Sequence, residues 1–177
     1  MGKVTFVIGG TRSGKSNYTV KTVESISDKV AYIATCVPYD DEMHERVRLH
    51  KQERPGSWLT VEEPVNLTPR LKEIDSQVDV AILDCLTLFV TNLLMDCNLE
   101  EEEIKSRLHE VMAALKKVKY DTFIVSNEVG LGIVPESSLG RKFRDIAGRA
   151  NQIVAEYADD MFFVVSGVPM KLKGQGL

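Results

Sequence analysis

A chain of 177 residues, 44% hydrophobic and 27% charged with net charge −4, has the makings of one globular domain over residues 1–177 with a full core of its own. Its basic residues are spread along the sequence, which excludes a polyanion-binding surface and leaves any affinity for phosphate to a local site. No nucleic-acid partner is expected.

The first predicted element is an apolar strand, Val4 to Ile8, and it runs into Gly9-Gly10-Thr11-Arg12-Ser13-Gly14-Lys15-Ser16. That octet satisfies G-x-x-x-x-G-K-[ST] without a mismatch, and the segment after it, Lys15 to Ser25, has helical character. Strand, loop and helix together make a phosphate-binding loop. Glycines let the loop turn tightly and present backbone N–H groups to phosphate oxygens, while the helix adds the positive end of its dipole. Lys15 is expected to reach the β and γ phosphates and the Ser16 hydroxyl to bind Mg²⁺.

Val30 to Ala34 is the second strand, and Asp40 or Asp41 then caps a helix predicted to run to Glu53 and to be ended by Pro55-Gly56. Arg46, His50 and Arg54 fall at i, i+4 and i+8, so they form a cationic stripe with an imidazole in its middle. A neutral imidazole, with an ordinary pKa near ~6.5, is a nucleophile toward phosphorus; flanking guanidinium groups lower that pKa and steady developing phosphate charge. A solvated helix on which His50 only caps a packing edge is the plainer reading. His44 lies six residues earlier on the same helix, about 600° of turn at ~100° per residue, and faces away from His50.

Trp58 to Val61 adds a short edge strand, and Val78 to Leu83 is a buried strand followed at once by Asp84, the form of a Walker B carboxylate beside the metal. A helix over Leu86 to Met95 and another over Leu99 to Lys117 come next; Glu100 to Glu103 open the latter, where negative charge suits the dipole better than it suits a metal. Asn127-Glu128 follows the strand Thr122 to Ser126 and sits at the carboxyl edge as a ligand contact or as a turn. Pro135 and Gly140 bracket a turn before the helix Gly140 to Tyr157; Met161 to Val165 is the last strand, and Lys171 to Leu177 show no core pattern. Alternation of this kind predicts an α/β, three-layer domain with a mostly parallel sheet.

Cys36, Cys85 and Cys97 are an odd number without C-x-x-C spacing, which argues for a reducing compartment. No apolar run approaches the ~20 residues of a membrane span and the N-terminus enters a strand directly, so a cytoplasmic location is expected. No Asn-Lys-x-Asp element is present, which weighs against a guanine-reading molecular switch.

The loop Gly9–Ser16 is one of seven segments in order. The others are Tyr32-Ile33-Ala34-Thr35, Asp41-Glu42-Met43 with Arg46 and His50, Arg54-Pro55 with Trp58, Asp84-Cys85-Leu86-Thr87-Leu88, Ser126-Asn127-Glu128-Val129-Gly130 and Gly167-Val168-Pro169. Together they resemble the bifunctional adenosylcobinamide kinase and adenosylcobinamide-phosphate guanylyltransferase family of cobalamin biosynthesis, over about residues 4 to 173. The resemblance implies a RecA-like P-loop NTPase fold, a homotrimer, Mg²⁺, and GTP and ATP as substrates. It implies phosphorylation of adenosylcobinamide, then guanylylation of a histidine that passes GMP to adenosylcobinamide phosphate. The matching histidine is His50, with Lys15 as the other catalytic group. Nucleotide contacts carried over are Gly9, Gly10, Thr11, Arg12, Ser13, Gly14, Lys15, Ser16, Ile33, Ala34, Thr35, Lys51, Gln52, Glu53, Arg54, Glu62 and Asp84, with Ser16 and Asp84 as metal ligands. Phe89 departs from the tryptophan expected in many relatives. A monofunctional P-loop small-molecule kinase and an NTP-binding regulator are the rival readings.

Overall fold

The computed structural model describes residues 1–52 and 54–174, the side chains of Arg46 and His50 excepted. Unbroken apolar runs require cover on both faces, and the strands in the middle of the sheet receive it, while the two edge strands stay largely exposed. The strands are β1 (Val4–Gly9), β2 (Val30–Ala34), β3 (Leu59–Glu62), β4 (Val80–Asp84), β5 (Asp121–Asn127), β6 (Asp160–Val165) and β7 (Val168–Lys173). They form one sheet in the order β3-β2-β4-β5-β1-β6-β7, parallel throughout except for the antiparallel pair β6 and β7.

Alternate side chains divide the core in two, as a period of two requires. Val4, Phe6, Ile8, Ala31, Ile33, Ala81, Leu83 and Ile124 face α3 (Leu67–Glu73), α4 (Leu86–Met95), α5 (Glu101–Leu115) and α6 (Ser138–Tyr157). Val7, Val30, Tyr32, Val80, Ile82, Phe123 and Val125 face the other way, toward α1 (Lys15–Glu24) and Trp58. Phe89 of α4 is fully buried in the larger cluster, so the departure at that position is a matter of packing.

Three expectations need correction. Helix α2 spans Asp41–Gln52, capped by the Asp40 carboxylate, which accepts from Met43 N–H at 2.7 Å. Arg54 therefore lies past its end rather than in register with Arg46 and His50. The tail pattern missed β7, whose Lys171 and Lys173 pair with Phe162 and Met161 of β6; the Lys171 ammonium lies 3.3 Å from the Asp160 carboxylate, the Lys173 ammonium donates to the Ala155 carbonyl at 2.8 Å, and Leu172 is exposed. Helix α3 was unforeseen: seven residues are too few for a clear period, and Leu67 and Leu71 alone anchor it. The four glutamates behave as expected, with Glu100 and Glu103 forming a reciprocal capping box on α5.

The connection from β1 crosses through α1 toward β2, while that from β5 crosses through α6 toward β6. The loops after these two neighbours part in opposite directions, which opens a crevice at the carboxyl edge of the sheet, where α/β proteins hold ligands.

Candidate functional site in the phosphate-loop crevice

Gly9–Ser16 fill that crevice. A Cβ on Gly9 would come within 2.5 Å of the Val164 carbonyl oxygen and 2.7 Å of Ser13 Oγ, so backbone alone fits there. Gly14 takes φ of 93°, a left-handed conformation that ends the loop and starts α1. Thr11 and Arg12 are exposed at the rim. Lys15 is buried and donates to the Gly10 carbonyl at 2.9 Å, curling back over the loop it serves. Burial lowers its pKa, opposed by the Cys85 thiol and the Asp84 carboxylate nearby.

Asp84 ends β4 and accepts a hydrogen bond from the Tyr32 hydroxyl of β2. Burial, with the carboxylate beside it, pushes the Tyr32 phenol well above its ordinary range. The Arg54 guanidinium stacks 3.9 Å from the centre of the Tyr32 ring, a cation–π contact. A chain of contact thus runs from the Asp84 carboxylate through Tyr32 to Arg54, which follows α2. Tyr32 was absent from the predicted contacts, and its only sequence signal was its place in the Tyr32-Ile33-Ala34-Thr35 segment.

The predicted contacts fall into three sets. Lys51, Arg54 and Glu62 come together with Pro55, Gly56, Trp58 and Thr60 around a groove of about 490 Å³. In it the Lys51 ammonium donates to the Glu62 carboxylate at 2.7 Å, which holds that carboxyl below its usual range. Both partners are exposed, so the pair orients the groove more than it stabilises the fold. Ile33 and Thr35 have inward side chains: Ile33 packs in the core, and the Thr35 hydroxyl donates to the Cys85 carbonyl at 2.8 Å and accepts from Cys85 N–H at 2.9 Å. Their route to a nucleotide is the backbone, as it is for half-buried Ala34. Gln52 is exposed at the end of α2; Glu53 and the side chain of His50 lie outside the described residues, although the backbone of His50 is helical in α2.

Two supporting features were illegible in the sequence. A buried polar network, Thr87 Oγ1 to Ser126 Oγ at 3.1 Å and Ser126 Oγ donating to Asn151 Oδ1 at 2.8 Å, braces the end of β5 beside the loop. Thr87 Oγ1 also accepts from Asn127 N–H at 2.8 Å. The Glu128 carboxylate accepts from Gly130 N–H at 2.9 Å while its own N–H donates to Gly9 O at 3.0 Å. The second feature is the tip of the β6–β7 hairpin, where Gly167 N–H donates to Ser13 O at 2.8 Å and ties the far edge of the sheet to the phosphate loop.

Ser16 and Asp84 offer a hydroxyl and a carboxylate, oxygen donors of the hard kind that Mg²⁺ takes. Among the described residues no three His, Cys, Asp or Glu side chains form a ready cage. Two protein donors completed by substrate phosphates suit this cation, so the residues fit it as a companion of the nucleotide.

In overall shape the chain resembles the RadB recombinase, with a TM-score of 0.56 and 15% identity over 91% of this chain and 73% of that one, which fixes the fold as RecA-like. Among the described residues no helix is long and apolar enough to cross a membrane. The bifunctional adenosylcobalamin biosynthesis protein CobU of Escherichia coli (strain K12) is 40% identical over 94% of this chain and 98% of its own length. CobP of Pseudomonas aeruginosa, described by the same bifunctional title, is 37% identical over 97% of this chain and 98% of its own length. The family model for cobinamide kinase / cobinamide phosphate guanyltransferase matches residues 5–172. With a complete phosphate loop at the crevice and near full-length likeness on both sides, the chain belongs to the cobinamide kinase and cobinamide phosphate guanylyltransferase family and is a bifunctional, nucleotide-using transferase.

Proposed function

We propose that the two reactions share this one phosphate loop and that the guanylyl step passes through a covalent His50–GMP intermediate. The observation that carries the reading is the grouping of Lys51, Arg54 and Glu62 in a groove at the end of the helix on which His50 sits. In this step an imidazole nitrogen bonds to the α phosphorus of GTP as the bond from that phosphorus to the bridging oxygen breaks. Pyrophosphate leaves with the electron pair, and the ring sheds its other N–H proton. A phosphate oxygen of adenosylcobinamide phosphate then attacks the same phosphorus, the P–N bond breaks with its electron pair going to the ring nitrogen, the ring takes a proton back from solvent, and adenosylcobinamide-GDP departs. In the kinase step the γ phosphoryl group moves from ATP or GTP to the adenosylcobinamide hydroxyl without the histidine. Protein incubated with GTP labelled at the α phosphate is expected to retain label in base and lose it in acid. Absence of label would transfer the chemistry to direct attack by the cobinamide phosphate.

Ser16 and Asp84 would hold Mg²⁺ against the phosphates; the ion neutralises charge on the leaving group. This chain's own share is placement: Tyr32 orients the Asp84 carboxylate, and Lys15 brings its ammonium to the phosphates. Asp84→Asn is expected to weaken Mg²⁺ binding to the nucleotide complex about tenfold and to slow both steps about 10²-fold. Titration of the cation by calorimetry checks this, and unchanged affinity would remove Asp84 from the metal site.

We further read the protein as one catalytic domain, residues 1–177, acting as a cytoplasmic homotrimer. Ile133 and Leu131 are 95% and 78% exposed on the loop after β5, Met170 and Leu172 project from the edge strand β7, and no described residue of α2 is buried. Surface of this kind suits a subunit contact. Sedimentation at micromolar concentration is expected to give three times the chain mass of 19.8 kDa; a monomer at full activity would overturn the reading.

A further inference from the structure

A second groove borders the phosphate loop on its other side. It measures about 410 Å³ and is lined by Gly14, Asn17, Tyr18, Lys21, Thr22 and Ser25 along one flank of α1, closed by Gly167 at the hairpin tip. None of these except Gly14 belongs to the contacts expected for GTP. The Tyr18 ring is held in place by Phe162 of β6, with centroids 5.6 Å apart and planes tilted by 53°. The hairpin tip is fixed in turn by the Gly167 bond to Ser13 O, with Ser166 and Gly167 both at positive φ, 50° and 81°.

The two reactions attack opposite ends of a triphosphate. Phosphoryl transfer takes the γ phosphorus; guanylyl transfer takes the α phosphorus. The loop itself defines a direction, because Lys15 and its neighbour Asp84 mark the end that receives the γ phosphate and Mg²⁺. A nucleotide laid down in that direction points its α phosphate away from Asp84, toward the first turn of α1. Its nucleoside then continues along Asn17 and Tyr18 toward Gly167. The α phosphorus is thereby carried away from α2, which follows β2 on the other side of β4. For His50 to reach that phosphorus, the nucleoside must instead lie on the Lys51–Glu62 side. Two separate grooves are on hand for the two directions, one lined by α1 and Gly167 and the other by Lys51, Arg54 and Glu62.

We propose that the groove between α1 and the β6–β7 hairpin tip is the nucleoside site for the kinase step, separate from the Lys51–Glu62 groove that takes the guanosine in guanylyl transfer. The inference rests on the His50 reading for the second pose only. In the kinase pose the β–γ bridging oxygen leaves with its electron pair on the nucleoside diphosphate. The acceptor oxygen bonds to the γ phosphorus, and the hydroxyl proton passes to solvent. Asn17, Lys21 and Thr22 offer hydrogen bonds to ribose and base, and Tyr18 offers a ring edge, contacts that distinguish one base from another only weakly.

The test is photolabelling of the intact protein with 8-azido-ATP and Mg²⁺, followed by peptide mapping. Cross-links within residues 17–25 or 166–168 support the site; cross-links confined to residues 51–62 overturn it. A second measurement does not depend on the azide: Lys21→Trp, at an exposed position on α1, fills the groove. It is expected to raise the kinase KM for ATP at least tenfold while labelling by α-labelled GTP stays within twofold. An unchanged KM in a folded variant, or equal loss of both activities, would overturn the separation. If the wild-type protein takes no label from GTP, the His50 reading fails while the cross-link map still decides the kinase groove.

Discussion

Lys15→Met is expected to remove both activities together, each by about 10³-fold, roughly 4 kcal/mol of transition-state stabilisation. The two steps expel different leaving groups, a nucleoside diphosphate in one and pyrophosphate in the other, yet both groups carry the β phosphate, and the β phosphate is what this loop cradles. Methionine keeps most of the length and volume and removes only the charge and its donors. The one hydrogen bond lost is to the Gly10 carbonyl, at the open rim of the loop. Because burial already works against the ammonium, the substitution should leave Tm unchanged or slightly raised. Parallel assays of phosphate transfer and of α-label incorporation, with a thermal melt as the folding control, check all three points. Survival of either step near the wild-type rate would mean that this step does not use the loop.

The site was legible in the sequence where local rules govern it. Gly9–Ser16 must be what they are for steric and electrostatic reasons that act within eight residues, and the strand Val30–Ala34 and the helix Leu86–Met95 end where their apolar patterns end. Asp84 could be put at the carboxyl edge because it directly follows a buried apolar run, and it ends β4. What escaped was long-range. Tyr32 reads as one more apolar strand residue until β2 and β4 are adjacent; only then does its hydroxyl meet Asp84 and its ring meet Arg54. Gly167 reads as a turn residue until β6 pairs beside β1 and carries the hairpin tip onto Ser13. The partners of Thr35 were equally long-range: its hydroxyl is bonded to the Cys85 backbone, which leaves its own backbone for any nucleotide contact. Arg54 was placed on a helical stripe because a period was extended two residues past the end of α2, whereas its contact with Tyr32 is tertiary.

His50→Ala separates the two chemistries. Acid-labile label from α-labelled GTP is expected to vanish, and guanylyl transfer to fall by about 10⁴-fold or more, since without a nucleophile no covalent intermediate forms and only slow direct transfer remains. Kinase turnover should stay within about threefold, because γ transfer requires the loop, the metal-side carboxylate and a positioned hydroxyl, and none of these is borne by α2. His44→Ala is the matched control: His44 is exposed on the same helix, six residues away, and its loss should leave the label intact. The comparison has force because His44 shares the helix with His50 and none of the described side chains of α2 is buried, and a thermal melt of each variant separates loss of the nucleophile from unfolding. Equal loss of both steps in His50→Ala would place the imidazole on the triphosphate in both poses. Label retained in His50→Ala and lost in His44→Ala would move the nucleophile about one and two-thirds turns up the helix and would require the nucleotide to enter from its amino-terminal end.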